Sequence, residues 1–166
     1  MLENVVSLEA LRVPAATHYV IARSDPGKLG YVRLNRVLWY SDLEHYRWHG
    51  ISITGLQNYT RTSQGPMADD ILWAVSRLVK EGRVAERTVA VTDYSRREMV
   101  SLAEPDISPL NVEQIGILEQ MTELVVSFTA NRLREVTISD PLWQELENDQ
   151  AMLIATGSVI SRLQDL

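Results

Sequence analysis

The chain contains no cysteine. That absence removes disulfides, thiolate nucleophiles, iron–sulfur clusters and cysteine-ligated zinc together, and it suits a reducing compartment. No stretch approaches the roughly 20 apolar residues of a membrane span. The opening residues, Met1-Leu2-Glu3-Asn4-Val5-Val6, carry an acid before the apolar side chains, and no secretory core follows. The expectation is a cytoplasmic protein. The usual catalytic signatures are missing too. There is no Gly-x-Ser-x-Gly elbow, and Asp25-Pro26-Gly27-Lys28-Leu29-Gly30 sets a lysine between glycines without the spacing of a phosphate loop.

What remains is a chain of 166 residues with a net charge of −6, enough for one ordinary domain. A chain of this size buries about 68–70% of its unfolded surface and needs no covalent staples. The charge is uneven: residues 1–83 hold 10 Lys and Arg against 8 Asp and Glu, and residues 84–166 hold 6 against 14. An acidic second half is poorly suited to tracking phosphate backbones. It reads either as a solvated face or as a match for a basic partner surface.

The pattern along the chain is mainly helical. Residues 1–13 read as an arm or a short helical turn, with Pro14 at the first position of a helix that Ser24-Asp25-Pro26-Gly27 stops. A second helix is expected over 29–49, with Tyr31, Leu34, Val37, Leu38, Leu43 and Tyr46 as its apolar stripe and Arg33, Arg36, Asp42 and Glu44 largely outside it. Gly50 follows as its cap. After an irregular stretch over 51–65, Gly65-Pro66 is expected to open a third helix ending at Gly82, with Ala68, Ile71, Leu72, Val75, Leu78 and Val79 at helical spacing. Alternating segments over 84–92 and 99–103, around Asp93-Tyr94-Ser95-Arg96, predict a β-hairpin. Asn111 and Gln114 have the spacing of a capping box before a helix through Ile115, Leu118, Met121, Leu124 and Val125. A short helix over 130–136, another started by Ser139-Asp140-Pro141, and a strand with a last helical turn over 152–166 complete the chain. The expected fold is mainly α: a single domain of about six helices over 14–166, with one hairpin after the third.

These residues open three chemical readings. His45 and His49, at i and i+4, share a helix face as zinc ligands would. Tyr46 stands where a metalloprotease needs its glutamate, however, and His18 is the only other histidine, so a metal-dependent hydrolase ranks last. The third helix and its hairpin have the order of a recognition helix and wing, with Arg87, Arg96 and Arg97 on the wing, which would make a winged-helix DNA-binding regulator. Asp69, Asp70 and Glu81 against Arg77 and Lys80 make that helix a poor phosphate binder. Trp39, Tyr40, Tyr46, Trp48 and Tyr59 concentrate aromatics in the first third, either as peripheral core or as a protein-binding patch.

One order of motifs stands out. Leu29 and Leu34-Asn35-Arg36-Val37-Leu38-Trp39-Tyr40 precede His49-Gly50, then Tyr59, then Gly65-Pro66 before an amphipathic helix; Leu133-Arg134-Glu135-Val136-Thr137-Ile138-Ser139-Asp140-Pro141-Leu142-Trp143 follows late. This order resembles the Panacea domain, the SocA-like antitoxin domain also found in phage-associated proteins, over roughly residues 15–155. Three positions depart from its pattern: Arg36 replaces a lysine, Gln64 replaces the aromatic before Gly65-Pro66, and Leu142 adds a residue between Pro141 and Trp143. The family-motif positions are Leu34, Arg36, Leu38, Tyr40, Thr137, Pro141 and Trp143. The resemblance implies a helical domain, and the residues themselves offer no catalytic, cofactor-binding or metal-binding set, so no enzyme, cofactor or metal is expected. It implies neutralisation of a cognate toxin by direct binding, or delivery of that toxin to a protease. By position, Trp48, His49, Tyr59, Thr60, Arg61, Gly65 and Pro66 would meet the protein partner. Neither membrane nor nucleic acid is expected as a partner, and self-association stays open.

Overall fold

The computed structural model describes residues 8–160, with side chains over 12–158. Expectations that fall on 1–7 and 161–166 lie outside the described residues. The first helix, α1, spans Leu8–Arg23 and contains Pro14 in its interior, so the helix starts well before the proline rather than at it. Helix α2 spans Pro26–His49. The segment that ends α1 also begins α2: Asp25 Oδ1 accepts from Gly27 N–H at 2.8 Å, and Pro26 takes the first helical position. Gly30, at φ 64° and ψ 168°, separates this opening turn from the main body of the helix. Gly50, at φ 70°, closes the helix by donating its N–H to the Tyr46 carbonyl at 2.8 Å.

Helix α2 is the axis of the molecule. Every residue from Leu34 to Leu43 is buried, because other elements surround the helix. The remaining elements are β1 (Asn58–Thr62), β2 (Gly65–Met67), α3 (Asp69–Lys80), β3 (Val84–Val91), β4 (Tyr94–Ser101), α4 (Val112–Ser127), α5 (Ala130–Ser139), α6 (Pro141–Glu145), β5 (Ala151–Leu153) and α7 (Ile154–Ile160). Helices α1, α4 and α7 and strands β2 and β4 all pack on α2. The expected one-sided stripe therefore understates its burial. Trp39 and Tyr40 are consecutive and both buried, and Arg36 and Asp42 lie inside rather than outside.

The described residues form seven helices, a mainly α architecture with minor β. The hairpin runs from Val84↔Ser101 to Val91↔Tyr94. Its loop is the pair Thr92-Asp93, so Tyr94, Ser95 and Arg96 belong to the strand rather than to the turn. A second sheet, not anticipated from the sequence, has the order β2-β1-β5, antiparallel throughout. Gly65-Pro66 belongs to this sheet and does not open α3. Thr62 pairs with Gly65 across the Ser63-Gln64 turn, and β2 is an edge strand, where a proline is tolerated. Strand β5 reaches β1 from far along the chain, pairing Tyr59 with Met152.

Helix α3 follows its own periodicity, burying Ile71, Ala74, Val75 and Leu78. Leu72 and Val79, expected on that face, are exposed. Asn35 of α2 supports the helix start, its Oδ1 accepting from Ala68 N–H at 3.0 Å. The capping box of α4 forms as expected: Asn111 Oδ1 accepts from Gln114 N–H at 2.8 Å, and Gln114 Oε1 accepts from Asn111 N–H at 2.9 Å. Asp140 caps α6 with Pro141 in its first turn. Among the described residues, no helix is long and apolar enough to cross a membrane.

Candidate functional site

Four elements meet beside the middle of α2. Arg36 is only 8% exposed, and its guanidinium crosses to the β1–β2 turn. There Gly65 has φ 120°, and a Cβ on it would stand 3.1 Å from Arg36 Nη2. A side chain at this position would push the guanidinium aside, so the glycine makes room for the arginine. From α5, Thr137 accepts from Arg36 Nη2 at 3.3 Å and donates to the Leu133 carbonyl at 2.8 Å. Arg36 Nε is buried without a hydrogen-bond partner. Burial pulls the Arg36 pKa down and the nearby Arg33 adds to this, while Tyr40 opposes it.

From β1, Arg61 lies over the Trp143 ring, 4.0 Å from its centroid. It also donates to the Trp143 carbonyl at 3.1 Å through Nε and to Asn148 Oδ1 at 2.6 Å through Nη1. These groups border a half-open cavity of about 200 Å³ lined by Arg36, Arg61, Ser63, Gly65, Arg134, Thr137, Ile138, Trp143 and Asn148. Three guanidinium groups and no carboxylate line it. Behind it, the Tyr40 hydroxyl is pushed up to about 12, first by burial and then by the charge of Asp140.

Residues singled out as family-motif or partner positions thus converge: Arg36, Arg61, Gly65, Thr137 and Trp143. Leu34 and Leu38 are core residues of α2, and Pro141 starts α6. Thr60 lies in β1, paired with Met67 on one side and Ala151 on the other. Pro66 is buried in β2. Arg134, Ile138, Ser63 and Asn148 were missed as site residues. The i, i+3, i+4 spacing of Arg134, Thr137 and Ile138 could have placed the first and last on the Thr137 face. Ser63 and Asn148 sit in turns and carry no such signal.

Tyr59 is a correction to the partner-facing set. It is 1% exposed, packed edge-on against Trp39 at 5.1 Å, with its hydroxyl donating to Asp42 Oδ2 at 2.8 Å. Its side chain faces the core because alternation in β1 turns it towards α2. Trp48 and His49 lie elsewhere, about 18 Å along α2 from Arg36 at 1.5 Å per residue. Trp48 is 67% exposed and donates to Glu44 Oε1 at 3.0 Å. His49 Nε2 meets Glu113 Oε1 at 2.8 Å.

His45 is buried and bonds the Ile51 carbonyl through Nδ1 at 2.7 Å, so that nitrogen carries the proton. Burial, the largest influence, holds its pKa below the usual histidine value. His18 bonds Ser101 Oγ at 2.9 Å. Among the described residues, no group of three or more His, Asp or Glu could hold a metal.

The wing reading also changes. Glu98 takes Arg87 at 2.9 Å and Arg96 at 2.8 Å, and Arg97 meets Glu86 at 3.1 Å. Hydrogen bonds from Arg96 and Arg87 pull the Glu98 carboxyl below its ordinary range. The hairpin's arginines are thus offset by carboxylates of the same hairpin, which weakens any phosphate-tracking role.

The family described as antitoxin SocA-like, Panacea domain, matches residues 34–144. The chain belongs to this family. The matched span runs from the buried middle of α2 to the far wall of the arginine-lined cavity, so the Panacea segment holds all of that cavity except Asn148. No curated protein and no solved structure matches the chain.

Proposed function

We propose that this Panacea-domain chain is an antitoxin-like binding protein that neutralises a cognate toxin by direct contact and catalyses no reaction. The observation that carries the reading is the family match over 34–144. Apolar side chains left on the surface support it. The outer face of α3 carries Leu72, Trp73 and Val79, with Trp73 68% exposed. Trp48 and Ile51 stand exposed around the end of α2. Exposed tryptophans set among polar neighbours are the residue type that anchors protein interfaces. On this reading Trp48, His49, Thr60 and Arg61 contact the toxin, and the buried Gly65 and Pro66 shape the β1–β2 turn beside Thr60 and Arg61.

The test is co-expression with the product of the adjacent gene. A neighbour that stops growth alone, is tolerated with this chain and co-purifies with it supports the proposal. One that is harmless alone and fails to co-purify sinks it. Toxin abundance separates the two modes of action: direct inhibition leaves it unchanged, whereas delivery to a protease lowers it.

A further inference from the structure

We infer that the cavity between Arg36, Arg61 and Arg134 is a binding site for a compact phosphoryl group, either free phosphate or a small phosphate monoester. The cavity lies within one chain and shares Arg61 with the surface proposed to meet the toxin, but the inference does not need the toxin to be present.

A guanidinium withdrawn from water costs free energy unless an anion accompanies it. Arg36 is more than nine-tenths withdrawn, forms no ion pair among the described residues, and makes one long bond to the neutral Thr137 hydroxyl. Its Nε has no partner. Arg33 adds to the local positive field instead of offsetting it. Several other arginines meet carboxylates, at Arg77–Glu81, Arg87–Glu98, Arg96–Glu98 and Arg97–Glu86, and the guanidinium of Arg33 is satisfied by the backbone carbonyls of Lys28 and Phe128. The cavity instead gathers three arginines with no carboxylate in its lining, and leaves the Arg36 Nε without a partner, within a chain whose net charge is −6.

Geometry then selects the anion. Arg61 is held by the Trp143 ring, the Trp143 carbonyl and Asn148, so one cation is fixed before any ligand arrives. Arg134 extends from α5 on the face that carries Thr137, and Ser63 adds a hydroxyl at the rim. Three cations match a dianion better than a single carboxylate, and guanidinium forks suit phosphate oxygens. A volume of about 200 Å³ admits phosphate with a few further atoms. Ile138 and the Trp143 ring give a short carbon stem an apolar wall.

The experiment is isothermal titration of the full chain with inorganic phosphate, glycerol phosphate and acetate at constant ionic strength near neutral pH. Saturable one-site binding of phosphate is expected, with acetate at least about tenfold weaker, as the loss of one charged contact implies. Tighter binding of glycerol phosphate assigns a monoester, and equal binding assigns free phosphate. Arg134→Gln, at an exposed position, should weaken phosphate about tenfold while leaving the thermal midpoint without ligand unchanged. Arg36→Gln should abolish binding, and Arg97→Gln on the hairpin should not affect it. Absence of saturable binding, equal affinity for acetate, or unchanged binding in Arg134→Gln would overturn the inference, even if Arg36→Gln fails to fold.

Discussion

The Tyr59 hydroxyl donates to Asp42 Oδ2 at 2.8 Å, joining the first strand to the buried axis of the molecule. Asp42 has no exposed surface. It also accepts from Thr54 N–H at 3.0 Å and from Thr54 Oγ1 at 2.6 Å, so one carboxylate ties α2, the following loop and β1 together. Tyr59→Phe removes one donor and leaves the carboxylate under-satisfied. The expected loss is about 1–3 kcal/mol of stability, read from the urea midpoint. An unchanged midpoint would show that the bond contributes nothing.

The same carboxyl makes stability depend on pH. Burial raises its pKa from 3.8 to about 6, while the bonds from Thr54 and Tyr59 pull the other way. The folded state therefore holds this proton more tightly than the unfolded chain does. As pH falls through about 6 towards 4, this group adds stability; as pH rises through the same window, it removes it. A shift of this size corresponds to roughly 3 kcal/mol. The depressed His18 and His45 act in the opposite sense as pH falls, so the comparison to make is with Asp42→Asn. Denaturation across that window should show the wild type gaining on the variant as pH drops.

Helix α7 approaches α2 through Gly157. A Cβ there would lie 2.8 Å from Leu43 Cδ2 and 3.1 Å from Trp39 Cζ2. Both neighbours are buried, so Gly157→Ala overpacks the contact. We expect a loss of about 1–3 kcal/mol, together with faster proteolytic cleavage around β5 and α7. Equal cleavage rates in the two proteins would contradict the close approach.

Two other glycines should respond with opposite signs. Gly65→Ala combines a positive φ with the Arg36 guanidinium 3.1 Å away, and a cost of about 1–3 kcal/mol is expected. Gly116, exposed within α4, has nothing within 4 Å of its missing Cβ. Gly116→Ala should stabilise by about 0.5–1 kcal/mol through helix propensity. Thermal midpoints of the two variants check both signs.

Trp73→Ala and Trp48→Ala test the surface assigned to a protein partner. Both side chains are about two-thirds exposed, so stability should stay within about 0.5 kcal/mol. Affinity for the toxin should fall by about 2 kcal/mol or more at whichever indole is covered. Calorimetry with the purified toxin measures this, and two unchanged affinities would move the contact surface elsewhere.

Local patterns announced the parts of this fold that a few turns of chain can specify. The α4 capping box needs only Asn111 and Gln114, the α2 stop needs only Gly50, and the amphipathic face of α3 repeats within the helix itself. The hairpin likewise pairs neighbours in sequence. The order of short motifs was also enough to point to the Panacea family. Long-range packing settled the rest. Asp42 and Arg36 are buried because helices and strands close around α2 from every side, and no one-sided periodicity can register that. Gly65-Pro66 reads as a helix start until Thr62 is found pairing with Gly65. The arginine-lined cavity joins Arg36 to Thr137 across 101 positions; its cationic character comes from side chains that only the folded chain brings side by side.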